Sequence, residues 1–389
     1  MKKPNTTGKK AAATTWDSIL NQCQRYLPLG VAFSVPAALH GEDHVDYRYE
    51  YYGEENGRME IQTHSAYFEQ HLSDKVVAKG EMVYDGISGA TPTGTHDLSG
   101  KMLTTQVKDT RWAGNLTLDW QLGNQTFSPG FAYSEESDYQ SYGISLSDSI
   151  SFNDKNTFLQ LGASHNFDDV RHGDRITWSG KDSTDILIGL SQILTPKTVI
   201  NASFTYGYDD GYLADPYRLA NYHPDIFPTG FTIGVPEHRP FYRSKEVLQI
   251  SGSQYFESIN GSLEASYRIH HDSYDIFSQT LGLTWHQHAG QHLILEPMFR
   301  FYTQTAASFY APTFSGPYSI DPPGAHSSDY RLSELYSLDF GIQARVLITN
   351  HIHLVVGYHR YEMHGLDQGT DSGMYPKANV ITTGLSIIW

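Results

Sequence analysis

Val380-Ile381-Thr382-Thr383-Gly384-Leu385-Ser386-Ile387-Ile388-Trp389 closes the chain. Read back in twos from Trp389, Ile387, Leu385, Thr383 and Ile381 share one face. Ile388, Ser386, Gly384, Thr382 and Val380 share the other. Alternate residues of a strand point to opposite sides. The stretch therefore predicts a strand with one face suited to lipid and one suited to a more polar interior. About ten residues are enough for a tilted strand to cross a bilayer.

Composition agrees with a chain that crosses a membrane by strands. The 389 residues are 39% hydrophobic, and the mean hydropathy of -0.43 is too polar for a helical membrane protein. A barrel has this balance because only half of each strand meets lipid. Aromatic residues make up 13% of the chain, with 27 Tyr, which suits aromatic girdles at two membrane interfaces. The formal charge of -16 argues against nucleic-acid binding. One cysteine, Cys23, excludes an intrachain disulfide and a thiolate metal cluster.

The N-terminus reads as an export signal. Lys2, Lys3, Lys9 and Lys10 form its basic part, and Leu27 to Leu39 its apolar part, too short to span a bilayer as a helix. Cleavage is expected between Ala37 and Gly41, and Cys23 would leave with the leader. Residues 1–41 are thus read as signal and 42–389 as barrel.

From His44 onward, amphipathic runs alternate with turns. Val45, Tyr47, Tyr49 and Tyr51 oppose Asp46, Arg48 and Glu50; Leu263, Ala265, Tyr267 and Ile269 oppose Glu264, Ser266 and Arg268. Short connections such as Ser73-Asp74, Gly123-Asn124, Ala289-Gly290 and Thr349-Asn350 carry tight-turn chemistry. The others, including 86–109, 169–181, 207–243, 306–328 and 364–376, are mostly longer and rich in Gly, Pro and Asp. Seven short turns and eight outer connections would join about sixteen strands, with both termini periplasmic. The fold class read here is all-β: a transmembrane antiparallel barrel of the outer-membrane type.

The aromatic-terminated last strand resembles the C-terminal insertion signal of Gram-negative outer-membrane barrels. That resemblance implies barrel-assembly machinery, outer-membrane lipid and lipopolysaccharide as partners. Two further blocks, Ser88-Gly89-Ala90-Thr91-Pro92 and Gly211-Tyr212-Leu213-Ala214-Asp215-Pro216-Tyr217-Arg218, resemble an uncharacterised Gram-negative outer-membrane family of unknown function. The opening Asp46-Tyr47-Arg48-Tyr49-Glu50-Tyr51-Tyr52 and the later Pro236-Glu237-His238-Arg239-Pro240 are similar to it as well. The likeness implies location and fold. It also implies neighbouring thioredoxin-like and flavin-transferase genes, hence a redox or cofactor pathway. No cofactor is implied for the chain itself.

Several groups are candidates for function. Connection 207–243 is the longest and most ionic, and connections of this length are usually functional or disordered. Asp209, Asp210, Asp215, Arg218, Glu237, Arg239 and Arg243 in it are constriction candidates, because charges at a narrow mouth set a transverse field. Their alternative is a surface loop knitted by ordinary salt bridges. Arg48, Glu50, Lys79, Glu81, Glu264, Arg268, Glu296, Arg300, Asp339 and Arg345 are lumen-wall candidates, and Asp46, Glu60, His64 and Asp119 are placed on the same face. Their alternative is a set of paired charges bracing the barrel. The Ser88–Pro92 block is expected to form a tight turn, with Gly89 permitting close approach. His286, His288, His292, His351 and His353 flank periplasmic turns at spacings that allow a zinc or copper site; the plainer reading is polar turn and interface histidines. His270-His271-Asp272 with Ser273 is a loose cluster rather than a matched catalytic motif. No catalytic residue is assigned, and the chain is not expected to be an enzyme. The leading expectation is a porin-like pore for small polar solutes. The alternative is a non-conducting docking barrel of a redox, cofactor or export assembly, with a periplasmic partner.

Overall fold

A computed structural model describes residues 42–96, 102–172, 176–225, 232–316 and 324–389. The expected signal segment, with Cys23, lies outside these residues. In chain order the strands are β1 (His44–Glu54), β2 (Met59–Ser73), β3 (Val76–His96), β4 (Met102–Leu122), β5 (Gln125–Glu135), β6 (Tyr139–Phe152) and β7 (Thr157–Arg171). Next come β8 (Trp178–Thr195), β9 (Thr198–Gly211), β10 (Leu219–Pro224), β11 (Ile233–Pro236), β12 (Tyr242–Phe256), β13 (Gly261–Asp272) and β14 (Phe277–Ala289). β15 (Leu293–Gln304), β16 (Phe314–Gly316), β17 (Leu335–Leu347), β18 (Ile352–Gly365) and β19 (Lys377–Ile388) complete the set.

Sixteen of these strands close into one antiparallel barrel, and β10, β11 and β16 form a separate three-stranded sheet. Closure is made by the first and last barrel strands, with His44 opposite Ile388 and Glu54 opposite Ala378. Closing the barrel removes every sheet edge, which lipid requires because it offers no partner to backbone polar groups. The terminal strand behaves as its pattern predicts: Ile381, Leu385 and Ile387 are exposed on the outer face, while Val380 and Thr382 are buried. Ile144, Phe131, Leu161, Ile188, Phe204 and Ile250 continue the apolar outer surface.

β3 and β4 are 21 residues each, about twice what a crossing needs. Their outer halves stand clear of the bilayer as a hairpin. Here the expected tight turn at Ser88–Pro92 is corrected. These residues continue β3, with Ser88 opposite Lys108 and Pro92 opposite Thr104. An available antiparallel partner outweighs local turn propensity. Gly89 has φ +136°, and a Cβ there would lie 2.0 Å from the Arg58 carbonyl oxygen, so the close approach is present without the turn.

Register also corrects the facing of three residues. Tyr49 pairs with His64 and Gly53 with Glu60, which places His64 and Glu60 on the outer face with Tyr49 and Tyr51, not in the lumen. In β9, Asp210 pairs with Asp182 and Tyr242 on the outer face. It lies away from the mouth, because strand alternation opposes it to Asp209.

The buried apolar clusters lie at the extracellular end of the barrel. Tyr274, Ile276, Ala307 and Leu332 form one cluster. Tyr330, Leu335, Met374 and Tyr375 form a second, and Ala220, Tyr222 and Val235 a third.

Candidate functional site

The long connections fold together into a lid. β10 pairs antiparallel with β11 and parallel with β16, so the β9–β12 and β15–β17 connections share one small sheet. His238 and His326 bridge the same two segments. The lid reaches across the mouth. The Arg218 guanidinium donates to the Pro92 carbonyl and, at 3.0 Å, to the Thr91 hydroxyl of β3. In barrel order β3 lies six strands from β9. Tyr217 donates its hydroxyl to Asp138 in the β5–β6 connection. His172 stacks on Tyr212 with ring centroids 3.9 Å apart. On the far side, Ser333 and Tyr375 share a hydrogen bond of 2.8 Å, and Arg58 donates to the Met374 carbonyl at 2.9 Å.

An ionic cluster ties the lid together. Asp329, 2% exposed, meets Arg239 at 2.8 Å and Arg218 at 3.8 Å, and also pairs with Arg331. Arg239 holds Glu237 at 2.8 Å, and Arg331 pairs with Asp215. Ser327 donates to Glu237 at 2.6 Å. Arg218 also lies over the Tyr330 ring, 5.1 Å from its centroid. Three carboxylates thus face three guanidiniums, and this balance lets so much charge be buried.

Burial would raise the Asp329 carboxyl, but Arg331 and Arg218 outweigh it and hold it far below the usual range. Asp215 is likewise lowered by Arg331 against the effect of burial. Glu237 is raised by burial, with Arg239 only partly compensating.

Of the constriction candidates, the structure brings Asp215, Arg218, Glu237 and Arg239 into this cluster. Asp209 and Arg243 sit lower, on the inner wall, paired with Lys245 at 2.8 Å and with Asp272. Asp329 and Arg331 were missed from sequence, although Asp329-Tyr330-Arg331 just before β17 repeats the aromatic-and-charge signature of Asp215-Pro216-Tyr217-Arg218.

Below the lid the two sides of the lumen differ. Arg48, Glu50, Lys79, Glu81, Glu264, Arg268, Glu296, Arg300, Asp339 and Arg345 all fall on the inner face by register. Many are mutually satisfied: Lys79 lies 3.1 Å from Asp119, Arg345 3.5 Å from Glu296, and Asp339 2.6 Å from His359. Arg48 lies 3.7 Å from Glu50. The inner faces of β5 and β6 are instead small and hydroxyl-rich: Ser145, Ser147 and Ser149 alternate along β6, with Ser128 and Ser164 on its two neighbours. Gly143 keeps this wall low, since a Cβ there would come within 2.6 Å of the Asn166 side-chain oxygen.

The histidines do not converge. His286 lies between Glu296 at 2.9 Å and Glu264 at 3.4 Å. His292 and His351 contact the main-chain carbonyls of Leu347 and Ile388 at 3.0 Å. Among the described residues, the group whose ligand atoms lie within 4.8 Å of one another is Asp109, Glu136 and Asp138, which contains none of these histidines. Burial, reinforced by Asp138 and Asp109 against Arg111, pushes the Glu136 carboxyl up to about 7. His270 and His271 are separated by strand alternation. His270 lies 3.9 Å from Asp272 inside, while His271 lies 3.9 Å from Glu246 outside.

A closed barrel with an apolar outer band, a polar lumen and short turns at one end defines a bacterial outer-membrane β-barrel protein. The chain belongs to the family described as "Protein of unknown function (DUF3570)", which matches residues 31–180 and 172–388. No curated protein matches it by sequence. Among solved structures it is similar to CdiB from Acinetobacter baumannii, at 8% identity and TM-score 0.50, covering 89% of this chain and 60% of that one. It is also similar to a bacterial polysaccharide outer membrane secretin, at 10% identity and TM-score 0.47, covering 90% and 99%. OmpT of Vibrio cholerae follows at 8% identity and TM-score 0.45, covering 90% and 97%. At these identities the likeness is one of fold.

Proposed function

We propose that the protein is a gated outer-membrane pore for small polar solutes, closed at its extracellular mouth by the lid. One observation carries this reading: a lumen lined by polar side chains lies beneath a lid that one charge-balanced cluster holds across the mouth. A barrel of this strand number is wide enough for an aqueous path. A lid held by ion pairs can open when the pairs exchange for water or for a ligand.

The test is single-channel conductance in a planar bilayer, on the intact protein, on Asp329→Asn, and on a variant lacking 212–240. Rare openings in the intact protein that become frequent in Asp329→Asn support the gated pore. The cross-mouth bond from Arg218 to Pro92 favours a second reading, a sealed docking barrel with a periplasmic partner. An intact protein and Asp329→Asn that are both silent, with large conductance only after deletion, would favour that reading. Silence in all three would refute the pore.

A further inference from the structure

One lipid-facing position interrupts the outer apolar band. On β6 the outer face reads Tyr142, Ile144, Leu146, Asp148, Ile150 and Phe152. Register fixes Asp148 there, opposite Phe127 of β5 and Leu161 of β7. Ile144, Leu146, Phe152 and Leu161 are exposed on the same surface. Ser147 and Ser149, its chain neighbours, take the inner face, as strand alternation requires.

Strand geometry gives the depth. Tyr142 and Phe152 are ten residues apart on one strand. At about 3.3 Å per residue and a tilt of about 40°, they stand about 25 Å apart along the membrane normal, the height of an apolar band. Asp148 lies about 10 Å above Phe152, inside that band.

A carboxylate at that depth is costly, because hydrocarbon supplies neither counter-charge nor hydrogen-bond donor. The chain supplies none either. Asp148 Oδ1 is buried without a partner, and among the described residues no side chain pairs with Asp148. Elsewhere on the described outer strand faces, charged side chains lie toward the extracellular end. Glu135, Asp182 and Asp210 are there, and so are the cations Lys108, Arg171 and Arg360. A second copy in the same membrane therefore brings no cation to the depth of Asp148.

We propose that the outer face of β5–β7 is the docking surface for a different outer-membrane protein, one that presents a lysine or arginine from its own lipid-facing surface to Asp148. Charge complementarity selects this occupant. The apolar side chains around Asp148 supply contact area, and the ion pair fixes register between two surfaces that are otherwise uniformly apolar. The contact is lateral, within the membrane, and stands whether or not the lumen conducts.

Two measurements test it. The first is urea unfolding of the purified protein in phosphatidylcholine vesicles, where no partner is present. Asp148→Leu should shift the midpoint upward and Asp148→Asn should shift it less. A midpoint that does not rise in Asp148→Leu would show that Asp148 does not face hydrocarbon, and would overturn the inference. The second is photo-crosslinking in the native outer membrane, with a photoreactive side chain at Leu146 or, as control, at the exposed Ile342 of β17 on the opposite side of the barrel. The expected result is one discrete adduct from Leu146 and none from Ile342. Its cross-linked peptide should be a lipid-facing segment containing a lysine or arginine. Asp148→Leu should abolish the adduct while leaving heat-modifiable gel mobility intact. Replacing the partner's cation by Asp together with Asp148→Lys should restore it. No adduct, an adduct that persists in Asp148→Leu, an adduct of two copies of this chain, or a cross-linked segment without a cation would each overturn the proposal.

Discussion

Replacing Asp329 by Asn should unlatch the lid without unfolding the barrel. Asp329 is 2% exposed and is the one carboxylate shared by three guanidiniums, with contacts of 2.8 Å to Arg239 and 3.8 Å to Arg218 and a close pair with Arg331. Asn keeps the shape and removes the charge, leaving Asp215 and Glu237 against Arg218, Arg239 and Arg331. Removing one partner of a buried ionic group costs about 3–5 kcal/mol. At about 1.4 kcal/mol per decade, the open-lid population should rise by roughly two to three and a half orders of magnitude.

The assay is limited proteolysis of the folded protein, following cleavage between β10 and β12. When opening and closing are fast, cleavage tracks the open population. The barrel should keep its heat-modifiable gel mobility, because its strands share no hydrogen bond with Asp329. Asp210→Asn is the control: it removes a carboxylate from the outer face of β9, just before that connection, and should leave the rate unchanged. Equal rates for wild type and Asp329→Asn would refute the claim that this cluster holds the lid.

Three further expectations can be checked in the same preparations. Glu136 has its carboxyl raised from 4.5 to about 7, so its charging disfavours the fold: the β5–β6 connection should lose about 1–3 kcal/mol as pH climbs from the unfolded value to the folded one. Proteolysis there should accelerate across that window, and Glu136→Gln should flatten the profile. Asp329 has the opposite sign: its depressed carboxyl stabilises the lid above the ordinary carboxylate range, and that stability is lost as pH falls below it. Acid should therefore speed cleavage of the lid, and Asp329→Asn should reduce that acid response to the part that the likewise depressed Asp215 carries. Finally, Ile188→Lys on the exposed outer face should cost about 2–4 kcal/mol in lipid, falling to about 0–1 near the interfaces. Ser147→Lys on the inner face should cost far less; equal losses in denaturant titrations would mean the face assignment is wrong.

Alternation by itself is enough to expose the barrel. Val380 to Trp389 repeats in twos, the short turns recur at strand spacing, and lipid sorts one face from the other with a large energy. That energy acts on each strand separately, so it is legible in sequence.

What tertiary structure alone decided are relations between segments distant in sequence. Glu60 and His64 read as lumen residues in the sequence, and only the pairing with Gly53 and Tyr49 set the phase of β2 and turned them outward. Ser88–Pro92 has turn composition, yet a partner strand at 104–108 keeps it extended. Arg218 was visible as a charge in an ionic loop, but its partners, Pro92 and Asp329, lie 126 and 111 residues away. A short side chain's periodicity reports its own strand, whereas an ion pair reports which loops the closed barrel brings within reach of one another. Closure brought the β9–β12 and β15–β17 connections over one mouth and set a serine wall opposite an ion-paired one, and neither arrangement is written in any single stretch of the chain.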